Sequence, residues 1–282
     1  MNSNQSPFVV TVESAVARFD ERTGATLAWI APILVRTEAI SSAELADVTD
    51  AVSSIAVAEH SPRSRRVKKP ASERVADHIL AIEALSHEAI RADTGGIARL
   101  ATSHGHQATS RRDANGMASR LIVQRSLRNL GITRRLVLPL SAGLLADQKR
   151  YAKSLDSFRR GDDEPIVSTF VRAASVAIKN ATQLAEELES ARHVWNEVIT
   201  GRSDSSVWPL VRYCAGHLAI TSTSVADDLG ISDVAAQNAI DRFGAWGIVN
   251  QNSEARRNRI WLVSDVLDAV EAFMARARPV QD

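Results

Sequence analysis

The sequence predicts a mainly α-helical protein, and three observations carry that expectation. Apolar residues recur with a helical period through most of the chain up to Ile199. The apolar content is Ala, Leu, Val and Ile, with aromatics only 5% of residues, which suits helices packed on helices. Nothing strand-like appears before residue 206, whereas beyond it short apolar runs alternate with turn residues.

A length of 282 residues allows one large domain or two small ones. Hydrophobic residues at 45% and charged residues at 24% supply ample material for a core. A net charge of +1 gives no global field that advertises a polyanion as partner. The single cysteine, Cys214, has no internal disulfide partner, which fits the reducing cytoplasm expected as the location. The start, Met1 to Pro7, lacks the basic and apolar blocks of a signal peptide. The longest apolar stretch, 27–35, is too short to span a bilayer and contains Pro32, so no membrane partner is expected.

The elements follow in order. Residues 9–23 carry Val12, Val16 and Phe19 on one helical face, and Gly24 breaks the run. Pro32 bends or initiates the next segment. Residues 38–60 read as a further helix through Ile40, Leu45, Val48, Val52 and Ile55. The basic, proline-bracketed stretch 61–70 reads as an exposed loop in preference to a nucleic-acid arm. Residues 72–91 form an amphipathic helix with Val75, Ile79, Ile82 and Leu85 on one face. Residues 116–130 are helical and stop at Gly131. A helix from Pro139 runs towards Phe158, and Pro165 opens one long helix or two up to Ile199. The polar stretch 201–206 is the best domain boundary.

Beyond it the order is helix (207–218), short strand (220–222), helix (223–229), helix (232–246) with Ser232 as N-cap, a hairpin (248–263) and a last helix (264–276). Three helices followed by a hairpin is the winged helix-turn-helix plan. On it, Val234, Ala239, Ile240 and Phe243 face the core, and Asp233, Gln237, Asn238 and Asp241 face a groove. Gln237 and Asn238 suit adenine edges, and Arg256, Arg257 and Arg259 in the wing suit a phosphate backbone. From Ser205 onward seven arginines meet nine carboxylates, so a protein partner and DNA stay open as alternatives, with a homodimer as one way to concentrate the arginines.

Residues 109–120 read T-S-R-R-D-A-N-G-M-A-S-R. This stretch resembles the Fic family signature, His-Pro-Phe-x-Asp-Gly-Asn-Gly-Arg-x-x-Arg, with Asp113, Asn115, Gly116 and Arg120 matching it. Residues 34–47 resemble the family's N-terminal region, and residues 136–170, with Pro139, Tyr151 and Gly161, resemble the helices that follow the motif. The resemblance implies a Fic-like helical bundle followed by a small winged helix-turn-helix domain: N-terminal-like helices at 1–60, a degenerate core at 61–200 and the winged unit at 206–282. It also implies a loop that offers backbone N–H groups to nucleotide phosphates at a helix N-terminus. In the family that loop supports transfer of AMP from ATP to a protein hydroxyl.

The family's general base falls on Thr109, whose hydroxyl cannot accept a proton near neutral pH as an imidazole can. Met117 replaces the first arginine and Ala114 a glycine. Asp113 stays suited to a metal, and Asn115, Gly116, Ser119 and Arg120 to a nucleotide such as ATP with Mg²⁺. The competing reading is a plain helix start, with Asp113 as cap, Asn115 and Gly116 as turn and Arg120 as solvated surface. His104 and His106 stand upstream, too far to replace the base and short of a full metal site. The family's inhibitory helix carries a serine that aligns with Ser42 and a glutamate that aligns with Ala46, with Glu44 on a different face. The expectation is a catalytically inactive Fic-like regulator or scaffold whose winged helix binds DNA or a protein partner. The alternative is a nucleotide-binding enzyme of the same type with reduced or altered activity.

Overall fold

The computed structural model describes residues 7–26, 28–61, 69–87, 114–199, 207–252 and 259–279, and side chains within them except at 7–11, 24–26, 85–87, 114 and 115. The described residues are mainly helical, with one small three-stranded sheet.

Helix α1 (Pro7–Thr26) buries Val12, Val16 and Phe19, the face its period predicts. Asp20 follows them into the interior. Its carboxylate accepts from the backbone N–H groups of Arg134 (2.9 Å), Arg135 (3.0 Å) and Leu136 (2.7 Å). Charge-assisted bonds of this kind pin a loop that has no regular structure of its own. Asp20→Ala leaves three donors unanswered, one of them fully inside. A loss of about 2–3 kcal/mol is expected in urea melts, with Asp20→Asn recovering part of it.

Helix α2 (Ala31–Glu44) has proline in its first turn and is enclosed from Ile33 to Ala43, so it is the central rod of the bundle. The helix expected over 38–60 is broken in two. Asp47 adopts φ 55°, and the Val48 N–H returns to the Ala43 carbonyl at 3.0 Å, a left-handed closure usually signalled by glycine. Helix α3 (Val52–His60) then starts afresh. Helix α4 (Ala71–His87) packs beside α2 and α3. Arg36 of α2 ties all three: it donates to Glu59 at 2.6 and 3.1 Å and to Glu83 at 3.4 Å.

Helix α5 (Ala114–Asn129) is followed by Gly131 at φ 69°, as predicted. The single helix expected from Pro139 to Phe158 is two, α6 (Leu140–Leu145) and α7 (Gln148–Arg159). Asp147 separates them by accepting from the Arg150 N–H at 3.0 Å, an N-cap that begins a second helix. Helix α8 (Glu164–Val198) is one helix of 35 residues, and α1, α6 and α7 pack along it.

The C-terminal part runs α9 (Val207–Ala215), β1 (Ala219–Ile220), α10 (Ser222–Leu229), α11 (Asp233–Ala245), β2 (Val249–Gln251), β3 (Trp261–Val263) and α12 (Ser264–Ala277). Thr221 and Ser224 form a capping box on α10, and Ser232 caps α11 through the Ala235 N–H. The strands are antiparallel in the order β1-β3-β2, with Ile220 opposite Trp261 and Val249 opposite Val263. One core expectation fails here: Val234 is 71% exposed, and Ala236 joins Ile240 and Phe243 inside. The Ser232 cap sets the phase, and 236, 240 and 243 fall at i, i+4 and i+7.

Helix α12 leaves the sheet and enters the bundle, packing on α8 and α2. Asn180 donates to the Phe273 carbonyl at 3.1 Å, Arg276 meets Asn180 and Glu187, and Arg278 meets Glu44 at 2.7 Å. Ser41 donates to the Met274 Sδ at 3.4 Å. One continuous apolar cluster therefore includes residues from both parts of the chain. Among the described residues no helix is long and apolar enough to cross a membrane.

Candidate functional site

Five helices bring polar side chains together in the interior. Helix α2 supplies Glu38 and Ser42, α4 supplies His78, α5 supplies Arg120 and Gln124, α6 supplies Ser141 and α7 supplies Tyr151. Each lies at a position where its helix turns inward. His78, for example, shares the face of Val75, Ile79 and Ile82.

Arg120 is the centre. It is 4% exposed, which overturns its reading as solvated surface. Its Nε donates to the Ser42 Oγ at 2.8 Å and its Nη2 to the Ser42 carbonyl at 2.5 Å. It donates also to the Tyr151 hydroxyl. The guanidinium folds back over the first turn of α5, so a Cβ added at Gly116 would stand 3.1 Å from Nη1. The Ser42 Oγ is 3.2 Å from the His78 Nε2. That oxygen has a second lone pair and a hydrogen of its own, so it meets the imidazole as acceptor or as donor according to the ring tautomer.

Glu38 is enclosed opposite Ser141, accepting from its N–H at 2.8 Å and its hydroxyl at 2.7 Å. Burial raises its pKa to about 7, against the restraint of the Ser141 bonds, Gln124 and the Arg120 charge. Burial lowers His78 to about 4, and the nearby Arg120 charge adds to the effect. Near neutral pH the imidazole is therefore uncharged and the carboxyl is midway through its titration. Burial also pushes the Tyr151 phenol up. The cluster combines one fixed cation with one carboxyl of variable charge, and its hydrogen bonds close on the protein's own groups.

The positions singled out in the sequence are distributed as follows. Thr109, Asp113, His104 and His106 lie outside the described residues. Asn115 and Gly116 stand in the first turn of α5 rather than in a turn before it. Ser119 is buried and donates to the Gly116 carbonyl at 3.0 Å. Met117 packs against the core. Ser119 and Arg120 are thus both turned to internal partners. Among the described residues no group of three or more His, Cys, Asp or Glu is placed to hold a metal ion.

On α11, Asp233, Val234, Asn238 and Asp241 are exposed, and Gln237 donates to Asp241 at 2.6 Å. Arg242 lies over the Trp246 ring at 5.3 Å, and Arg259 lies over Trp261 at 5.1 Å. Arg256 and Arg257 fall outside the described residues.

Sequence reading missed Glu38, His78, Gln124 and Ser141 as members of a site. The signal available was a polar residue in core phase, such as Glu38 one turn after Leu34. Set against protein-family models the chain matches none, and set against curated proteins it has no match.

Proposed function

We propose that this chain is a non-enzymatic regulator: a Fic-like helical scaffold without the motif base, joined to a winged helix that engages DNA or a protein partner. The observation that carries the reading is the capture of Arg120 by Ser42 and Tyr151. A guanidinium with its donors directed to internal acceptors is poorly placed to meet a phosphate. The capturing serine belongs to α2, the helix that aligns with the family's inhibitory segment, and Glu44 of that helix is paired instead with Arg278.

The order helix, strand, helix, helix, hairpin, helix, with strand order β1-β3-β2, supports the winged-helix reading of the C-terminal part. Val234 and Asn238 stand out on the exposed side of α11 as neutral groups able to touch a thymine methyl and an adenine edge. Arg256, Arg257 and Arg259 are the candidates for backbone contact.

Binding of the full chain to duplex fragments, followed by fluorescence anisotropy across salt, tests the DNA arm. Affinity should fall as salt rises, and the Arg256→Ala, Arg257→Ala pair should flatten the slope by about 2. Salt-independent behaviour, or none at all, leaves a protein partner as the target. Labelled ATP added with cell lysate should yield no labelled protein. Robust labelling that disappears in Asp113→Ala would replace the regulator with a nucleotidyl-transferring enzyme.

A further inference from the structure

Away from the buried cluster, the outer side of α7 forms a cleft with the first turns of α8. Its volume is about 330 Å³, and Lys149, Arg150, Lys153, Ser154, Ser157 and Thr169 line it. Lys149, Lys153 and Ser157 recur at intervals of four on α7, so they form one stripe. Among the described residues the only carboxylate on the wall is Asp147, and it is engaged as the α7 cap.

Two features set this cleft apart from an ordinary solvated face. Among the described residues neither lysine joins an ion pair, whereas Arg159 farther along the same helix is paired with Asp156 at 2.6 Å. Arg150 is held against α8 by one bond from Nη2 to the Ser168 Oγ at 3.3 Å, and its Nε is enclosed with no acceptor. Uncompensated donors inside native proteins are few, and an ion or a water is among the usual answers to them.

From these observations we infer that the α7–α8 cleft binds a small phosphorylated ligand. Three cations against one carboxylate leave a surplus that suits a dianion or a diphosphate. Arginine offers the directional donors and the lysines the point charges of a phosphate site. The Ser157 oxygen accepts from Arg160 at 3.1 Å, so its hydroxyl hydrogen is free to point at the ligand. The volume sits at the lower end of the range for small-molecule pockets, roughly 300–1,000 Å³. The site shares no residue with the Arg120 cluster or with the hairpin, so it stands independently of the function proposed above.

Calorimetric titration of the full chain with inorganic pyrophosphate at low salt tests the assignment. Saturable binding at one site per chain is expected. Both lysines are exposed, so Lys149→Gln with Lys153→Gln should fold as wild type by circular dichroism. That pair should lose at least about tenfold in affinity, while Arg256→Ala with Arg257→Ala should lose none. Absence of binding at millimolar pyrophosphate, or full affinity in the lysine pair, overturns the site. Displacement of pyrophosphate by duplex DNA with equal effect on both variant pairs overturns it as well, since the contact would then be a general polyanion surface.

Discussion

Gly143→Ala is expected to leave most of the protein unfolded. Glycine to alanine within a helix ordinarily gains roughly 1 kcal/mol. Here the sign reverses. A Cβ at Gly143 would stand 2.0 Å from the Ala173 carbonyl oxygen and 2.8 Å from the Ala173 Cα, both backbone atoms of α8. No rotamer relieves such a contact, so α6 and α8 must separate by more than about 1 Å along a close-packed seam. Overpacking commonly costs about 1–3 kcal/mol, and a clash of backbone with Cβ belongs above that range, at about 4 kcal/mol or more. Circular dichroism melts should show a transition lowered by many degrees or lost. A melt within a degree or two of wild type would mean that α6 does not approach α8 as closely as described.

Arg120→Met should be the next most damaging change, and its cost should grow with pH. Methionine fills much of the space but leaves the Ser42 carbonyl and the Tyr151 hydroxyl without their donor. It also leaves Glu38 without its nearby cation. Removing one partner from a buried charged group costs on the order of 3 kcal/mol. The pH dependence follows from Glu38, whose folded value of about 7 exceeds its ordinary 4.5. In wild type the carboxyl is therefore a stabilising presence only while protonated. Between pH 4.5 and 7 the unfolded chain sheds that proton first, and stability falls by about 3 kcal/mol from this group. His78 runs the other way: its value of about 4 lies below the ordinary 6.5, so its share of stability rises across pH 4 to 6.5. Without the guanidinium the Glu38 carboxyl should hold its proton beyond pH 7. The gap between wild type and Arg120→Met in urea should then widen from pH 6 to pH 9. A gap that is constant or narrows would show that Arg120 and Glu38 do not sense each other.

The helices were largely legible because burial repeats at 3.6 residues. Val12, Val16 and Phe19 declare α1, and Pro165 with the run to Leu188 declares α8. The breaks were less legible where the chain used unexpected residues. Asp47 closes α2 in a conformation that sequence reading assigns to glycine, and Asp147 begins α7 without glycine or proline before it. Val234 looked like core because valine is apolar, but phase decides which side of a helix faces inward. The buried cluster was hidden for a different reason. Glu38, His78, Arg120 and Ser141 are far apart in the chain, and no spacing in the sequence joins them. Only the packing of α2, α4, α5 and α6 gives them common partners.

Helix α12 belongs to two structures at once, which sets how the protein can be divided. A fragment beginning at Val207 would carry Val270, Phe273, Met274 and Ala277 naked into water, and a fragment ending at Val198 would present the matching scar. Neither half is a portable cassette. A load taken up by α11 therefore meets no free swivel at the bundle, because the Ser41 and Glu44 fasteners anchor α12 to the same rod that grips Arg120.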